Sequence, residues 1–220
     1  MFETARGMLG ESARRSFEDT RREFADRVTK LFTQAQADEI KRQKFGAQFR
    51  AILRVSGLKA YRDGMNSVGY DPESFGQKEL AVFRAWQERQ SQYVSGLGSE
   101  IFKEGGISKG EIALRVRMWT DISLNEIFYR GVAAGDGEQR YRWDLQPEAE
   151  HCDDCPMLDG QVHTMTEWLD EGILPGNGQT QCKQGCRCGV SPTTEAVRGN
   201  FLRGASRSEH AHDHEVDHAQ

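Results

Sequence analysis

The sequence predicts a mainly α protein with a small α+β module at its C-terminal end. Three observations carry that prediction. Apolar residues recur every three or four positions in successive stretches between Phe17 and Ile127. After Gly137 the period shortens to two, in Gln139-Arg-Tyr-Arg-Trp-Asp-Leu. All five cysteines of the 220 residues fall between Cys152 and Cys188.

Composition narrows the class. Hydrophobic residues make up 37% and charged residues 29%, polar for a globular chain, which points to extended helices, flexible ends or burial in an assembly. No apolar run approaches the ~20 residues of a transmembrane helix. The start, Met1-Phe-Glu-Thr-Ala-Arg, lacks the continuous apolar core of a signal peptide. The chain is therefore expected to be cytoplasmic at synthesis. In a reducing compartment, an odd number of clustered cysteines argues for metal binding over a complete disulfide framework. The net charge of −5 gives no general attraction to nucleic acid.

Residues 1–45 read as an amphipathic helical arm. Its apolar stripe is thin (Phe17, Phe24, Val28, Leu31, Phe32), and its surface is dense in both signs, with arginines at Arg14, Arg15, Arg21, Arg22 and Arg27. An isolated helix with so narrow a stripe is marginal in water, so the arm is expected to order on a partner. Residues 46–136 read as a helical domain. Phe49, Ile52, Leu53 and Ala60 mark its first helix, which Gly57 and Gly64 weaken. A turn follows at Gly69-Tyr-Asp-Pro-Glu-Ser. The next helix begins near Gln77, with Phe83, Trp86, Tyr93, Leu97 and Ile101 as its seam and Gln90 as a polar gap. Ser108 and Glu111 form a capping box, flanked by Ile107 and Ile112 as a hydrophobic staple. That helix carries Val116, Trp119 and Ile127 and should end near Gly131 or Gly135. Such helices build an antiparallel bundle.

Residues 137–193 read as a cysteine-rich module with short strands. One strand leads into it, a second is expected at Gln161-Val-His-Thr, and Asp159-Gly160 makes a turn before it. A short helical turn fits Thr166 to Glu171. Residues 194–220 are polar and are expected to be a disordered tail. Its histidines, His210, His212, His214 and His218, do not build a specific metal site.

The cysteines carry the chemistry. Cys152 and Cys155 form a pair; Cys182, Cys186 and Cys188 form a distant cluster. A pair, a gap and a second cluster is the layout of a structural zinc site, and zinc takes four thiolate or imidazole ligands in a tetrahedron. The module is therefore expected to be zinc-stabilised, with one Zn2+ per chain drawn from the five cysteines. His151 and His163 compete for a place. A zinc deaminase is excluded, because Met165 stands two residues after His163 where a glutamate is needed, and Pro156 follows the pair where it should precede it. A zinc hydrolase needs an open coordination position, and an all-thiolate site has none. A redox role for C-x-x-C needs a thioredoxin-like βαβ setting that the sequence does not offer. Asp153 and Asp154 are expected to be solvated, and Asp159 to serve the turn.

The order Trp143, Cys152-x-x-Cys155, Leu158-Asp159-Gly160 and Cys186-Arg187-Cys188 resembles the C-terminal signature of the Mu F-like head morphogenesis proteins, the minor capsid proteins of tailed phages. The likeness covers roughly 143–192. That family usually has a histidine and a proline just before C-R-C; here Cys182 stands nearby, one residue further from Cys186 than the histidine would be. The resemblance implies a minor head protein that joins the procapsid in few copies near the portal vertex. It implies roles in head assembly and in handling packaged DNA. The residues themselves offer no catalytic constellation, so no catalysis is expected. The implied partners are the portal protein, other capsid or scaffold proteins and packaged DNA, with no membrane and no small-molecule substrate. The implied location is inside the head or procapsid, and the host cytoplasm during assembly. Two other classes stay open. Some relatives carry toxin or ADP-ribosyltransferase domains after the shared module, but only about 30 residues follow Cys188, so this chain would be at most a remnant of one. A zinc-ribbon protein that binds nucleic acid would need a basic face, and residues 136–171 are strongly acidic.

Overall fold

The computed structural model describes residues 2–70, 75–103, 106–176, 180–182 and 186–202. It is mainly helical, with a three-stranded sheet in its C-terminal part. No helix among the described residues is long and apolar enough to cross a membrane.

Helix α1 (Phe2–Gln36) lies along α2 (Arg42–Ser67). Its stripe is not left for a partner. Phe17, Phe24, Val28, Leu31, Phe32 and Ala35 are all buried. Phe17 stacks on Phe128 at 4.3 Å between centroids, and Phe32 packs against Phe45 and Phe49 at 5.6 and 6.1 Å. This corrects the expectation that residues 1–45 order only on a partner. A stripe too thin for an isolated helix is sufficient when α2 presents a matching row of Phe45, Phe49, Leu53 and Ala60. The expected boundary between residues 45 and 46 falls inside α2.

The glycines of α2 also act against expectation. A Cβ on Gly64 would meet the Phe128 carbonyl oxygen at 2.0 Å, and one on Gly131 would meet that of Tyr61 at 2.1 Å. Here α2 and the helix that carries Phe128 and Gly131 (α5, Leu124–Gly135) cross backbone against backbone, which only glycine permits.

Helix α3 (Gln77–Ile101) buries Phe83, Trp86, Gln90, Val94, Leu97 and Ile101. Tyr93, expected in that seam, is 65% exposed, and Val94 takes its place. Gln90 is no gap: its Oε1 accepts from Trp119 Nε1 at 3.1 Å and from Ser123 Oγ at 2.9 Å. Those two donors sit on a π-helical turn, Trp119–Ser123, that joins α4 (Lys109–Met118) to α5 (Leu124–Gly135). The Ser123 carbonyl also accepts from Trp86 Nε1 at 3.1 Å. The Ser108–Glu111 capping box forms as expected, at 3.2 Å from Glu111 N to Ser108 Oγ and 2.7 Å from Ser108 N to Glu111 Oε2. Ile107 and Ile112 are buried beside it.

A Gln90→Leu variant should therefore be less stable although it adds apolar volume. It leaves a buried indole N–H and a buried hydroxyl without their acceptor, at a cost of about 2 kcal/mol. For a chain of this size that is a Tm lower by roughly 4–8 °C. An unchanged melting curve would show that the bonds to Gln90 contribute nothing.

Strands β1 (Arg140–Asp144), β2 (Val162–Thr164) and β3 (Gly189–Thr193) form an antiparallel sheet in the order β2-β1-β3. Short helices α6 (Asp154–Leu158) and α7 (Met165–Asp170) flank β2. The sheet packs on Trp143 and Trp168, both fully buried with ring centroids 5.7 Å apart. Trp168 Nε1 donates to the Tyr141 carbonyl at 3.1 Å. Residues 194–202, expected in the disordered tail, continue the module. Val162 and Arg198 exchange backbone bonds at 2.9 Å, and Phe201 stacks on His163 at 3.8 Å. The remainder of that tail, with its four histidines, lies outside the described residues, as do residues 71–74 of the turn expected at 69–74.

Candidate metal centre

The cysteines converge because three local structures place them. The loop after β1 is held by Asp159, whose Oδ1 accepts from Leu145 N at 3.2 Å. It delivers His151 and Cys152. Helix α6 delivers Cys155, and its end at the Asp159-Gly160 turn requires a positive φ of 72° at Gly160. The β1–β3 register, which sets Asp144 opposite Gly189, brings Cys188 back beside the loop that follows β1.

Asp154 closes the arrangement. Expected to be solvated, it is buried, and its carboxylate accepts from Gln181 N at 2.8 Å and Gln181 Nε2 at 3.3 Å. That clamp fixes the segment carrying Cys182 against α6. Asp153 is exposed.

Cys155 lies at the centre. Its Sγ is 3.5 Å from that of Cys152, 3.5 Å from that of Cys182 and 3.8 Å from that of Cys186. Tetrahedral thiolates around zinc, at about 2.3 Å from the metal, stand about 3.8 Å from one another. The ligand atoms of Cys152, Cys155 and Cys182 all lie within 4.8 Å of one another, as do those of His151, Cys155 and Cys188. None of the five cysteines is in a disulfide. The residues can hold a metal ion.

Electrostatics support that use. Burial, reinforced by the neighbouring thiols of Cys182 and Cys152, pushes the Cys155 thiol well above its ordinary value. Burial likewise raises Cys182, to about 11. Cys152 goes the other way: burial opposes it, but hydrogen bonds with Cys182 and Cys155 lower its pKa. Cys155 and Cys182 resist ionisation without a cation; a bound dication supplies the charge that lets them ligate as thiolates.

His151 belongs to the cluster and His163 does not. The His151 Nε2 lies 2.9 Å from the Gln146 carbonyl, which can only accept, so this nitrogen carries the proton. The lone pair is then on Nδ1, 3.7 Å from Cys188 Sγ. A ligating histidine is usually held by such a bond from its other nitrogen. His163 sits on the far face of the module between Phe201 and Trp168, with Nε2 3.3 Å from Gln161 Oε1.

His163 is instead a titratable part of the Phe201 strap. Burial of its ring, only partly offset by the Glu167 and Glu171 carboxylates, lowers its pKa. A base depressed in the folded state stabilises the fold above its unfolded pKa of about 6.5, and that stability is lost as pH falls through the folded value. Release of 195–202 from β2 should therefore begin below about pH 6.5. Hydrogen exchange of the Val162 and Arg198 amides should report it, and a His163→Gln variant should show no such onset. The Glu167 carboxylate that faces His163 also caps α7, accepting from Thr164 N at 2.8 Å.

Compared with protein-family profiles, curated proteins and solved structures, the chain matches none.

Proposed function

We propose that this chain is a minor head protein of a tailed phage or prophage, acting near the portal in head morphogenesis and in the handling of packaged DNA. The observation that carries the reading is the ordered motif set C-x-x-C, L-D-G and C-R-C on one module. Each motif has a job there that suits a structural closure. Cys152 and Cys155 flank the start of α6, Leu158-Asp159-Gly160 ends it and turns into β2, and Cys186-Arg-Cys188 leads into β3. The metal is Zn2+ and its role is structural. It ties three chain segments around Cys155. No enzymatic role is assigned to the chain.

Docking falls to the outer surface of the bundle, since the apolar stripe of α1 is already buried. Arg14, Arg15, Arg22 and Arg27 are exposed on α1. Arg15 pairs with Glu11 at 3.2 Å, and Arg22 pairs with Asp19. Exposed pairs of this kind are worth about 0–1 kcal/mol, so a partner's acidic groups or DNA phosphates can replace them. The test is coexpression with the portal protein of a phage carrying such a chain, followed by co-purification and by counting its copies in procapsids. The wild type should be recovered with the portal. A variant with all four arginines changed to Glu should stay folded and lose much of that recovery, and raising salt should weaken the wild type similarly. Absence of the wild type from both portal and procapsid would sink the reading.

A further inference from the structure

We propose that the module holds two metal ions of the zinc class, not one, and that they share the Cys155 thiolate. The inference rests on reading the Cys155 cluster as a metal centre. The first ion takes Cys152, Cys155 and Cys182, with Cys186, whose Sγ lies 3.8 Å from that of Cys155, closing on it when the metal binds. The second takes Cys155, Cys188 and the Nδ1 of His151, with its fourth position left to solvent.

Geometry carries this. The ligand atoms fall into two triads, and the triads have only Cys155 in common. A single tetrahedral ion would gather four donors around one point. Here one sulfur stands between two groups, as a bridging thiolate must. Cys155 is also the most enclosed of the five, at 1% exposure.

His151 gives a second, independent observation. Its proton is committed to the Gln146 carbonyl at 2.9 Å, and its lone pair faces Cys188 at 3.7 Å. This is the orientation a metal-bound imidazole needs. Neither His151 nor Cys188 belongs to the triad of Cys152, Cys155 and Cys182, so they have no place on the first ion.

Charge is consistent with two ions. Five thiolates carry five negative charges, and one dication leaves an excess of three. Two dications leave an excess of one, on a group that is partly buried. Each thiol that binds releases its proton to solvent, and the imidazole binds neutral. The first ion is closed by four thiolates. The second has three protein donors and an exchangeable position, so it is the weaker of the two.

The test is zinc stoichiometry of the full chain, by elemental analysis and native mass spectrometry after equilibration with excess zinc and desalting. His210, His212, His214 and His218 are changed to Ala in every sample, so that the tail adds no binding. Two zinc ions per chain are expected. His151→Ala and Cys188→Ser should each retain one, with the melting curve of the module largely kept. Cobalt loading gives a second readout: in the parent, signals from two magnetically coupled ions should appear, and the coupling should vanish in His151→Ala. One zinc per chain in the parent, unchanged by His151→Ala, overturns the second site and leaves the single metal centre standing. No zinc in the parent overturns both.

Discussion

A Cys155→Ser variant is expected to lose its bound metal and, with it, the ordered packing of the C-terminal module. Cys155 is the one residue within ligand distance of every other thiol in the cluster, directly at 3.5–3.8 Å for Cys152, Cys182 and Cys186. Three chain segments meet there: the loop after β1, α6, and the 180–188 return. Structural zinc contributes about 10–16 kcal/mol to the folding of small metal-bound domains, as much as the whole ~5–15 kcal/mol net stability of an ordinary domain. A serine hydroxyl neither ionises nor ligates comparably, so the segments should separate. The buried core runs continuously from the bundle into the module. The helices should nonetheless persist, because α1, α2, α3 and α5 bury Phe24, Phe49, Trp86 and Ile127 among themselves. Far-ultraviolet circular dichroism should keep most of its helical signal. Fluorescence should shift to the red as Trp143 and Trp168 meet water, and the bundle should melt at a lower temperature. A metal-free variant with unshifted tryptophan emission would falsify the structural role of the centre.

Much of the architecture was legible in the sequence, and the failures have physical causes. The helical period, the Ser108 cap and the alternation in 139–145 are local signals, and the structure carries all three. The seam of α3 went wrong at one position because Tyr93 and Val94 both fit a three-or-four step from Gln90; only the neighbouring helix decides which faces inward. The burial of α1 depended on a matching row in α2, a tertiary fact. Gly57 and Gly64 look like helix weaknesses in isolation, and their use as contact points depends on what faces them, the Trp86 ring at Gly57 and the backbone at Phe128 and Val132 at Gly64. Strand β3 has Gly189 and Pro192 among its five residues, which hides it from propensity. Thr164-x-x-Glu167 is a capping box, a local signal that marks the start of α7. At the centre, the five cysteines were legible from spacing. The place of His151 was not, because its adjacency to Cys152 says nothing of the Gln146 bond that orients it. The buried clamp of Asp154 was equally hidden, since Asp-Asp reads as a solvated pair.

The second large effect is expected at the α2–α5 crossing. Gly64→Ala should be strongly destabilising, although alanine is the better helix former by about 1 kcal/mol in an exposed position. The new Cβ would lie 2.0 Å from the Phe128 carbonyl oxygen and 3.0 Å from the Val132 nitrogen. Both are backbone atoms of a helix and cannot rotate away, so the helices must move apart. The same holds from the other side, where a Cβ on Gly131 meets the Tyr61 carbonyl at 2.1 Å and the Gly64 Cα at 3.2 Å. Separating the helices loosens the packing of Tyr61, Met65, Ile127, Phe128 and Val132 at once, all of them buried. Overpacking of a core usually costs about 1–3 kcal/mol; here rigid backbone on both sides places the cost at or above about 3 kcal/mol. That corresponds to a Tm lower by roughly 6–12 °C for a chain of this length. Gly96→Ala is the control, because a Cβ at Gly96 meets nothing within 4 Å and should be neutral or mildly stabilising. Urea denaturation of the two variants under the same metal-loading conditions separates the effects. Equal midpoints for Gly64→Ala and Gly96→Ala would mean that α2 and α5 do not cross in contact. A double variant, Gly64→Ala with Gly131→Ala, should cost less than the sum of the single changes, because the first separation already makes room for the second Cβ.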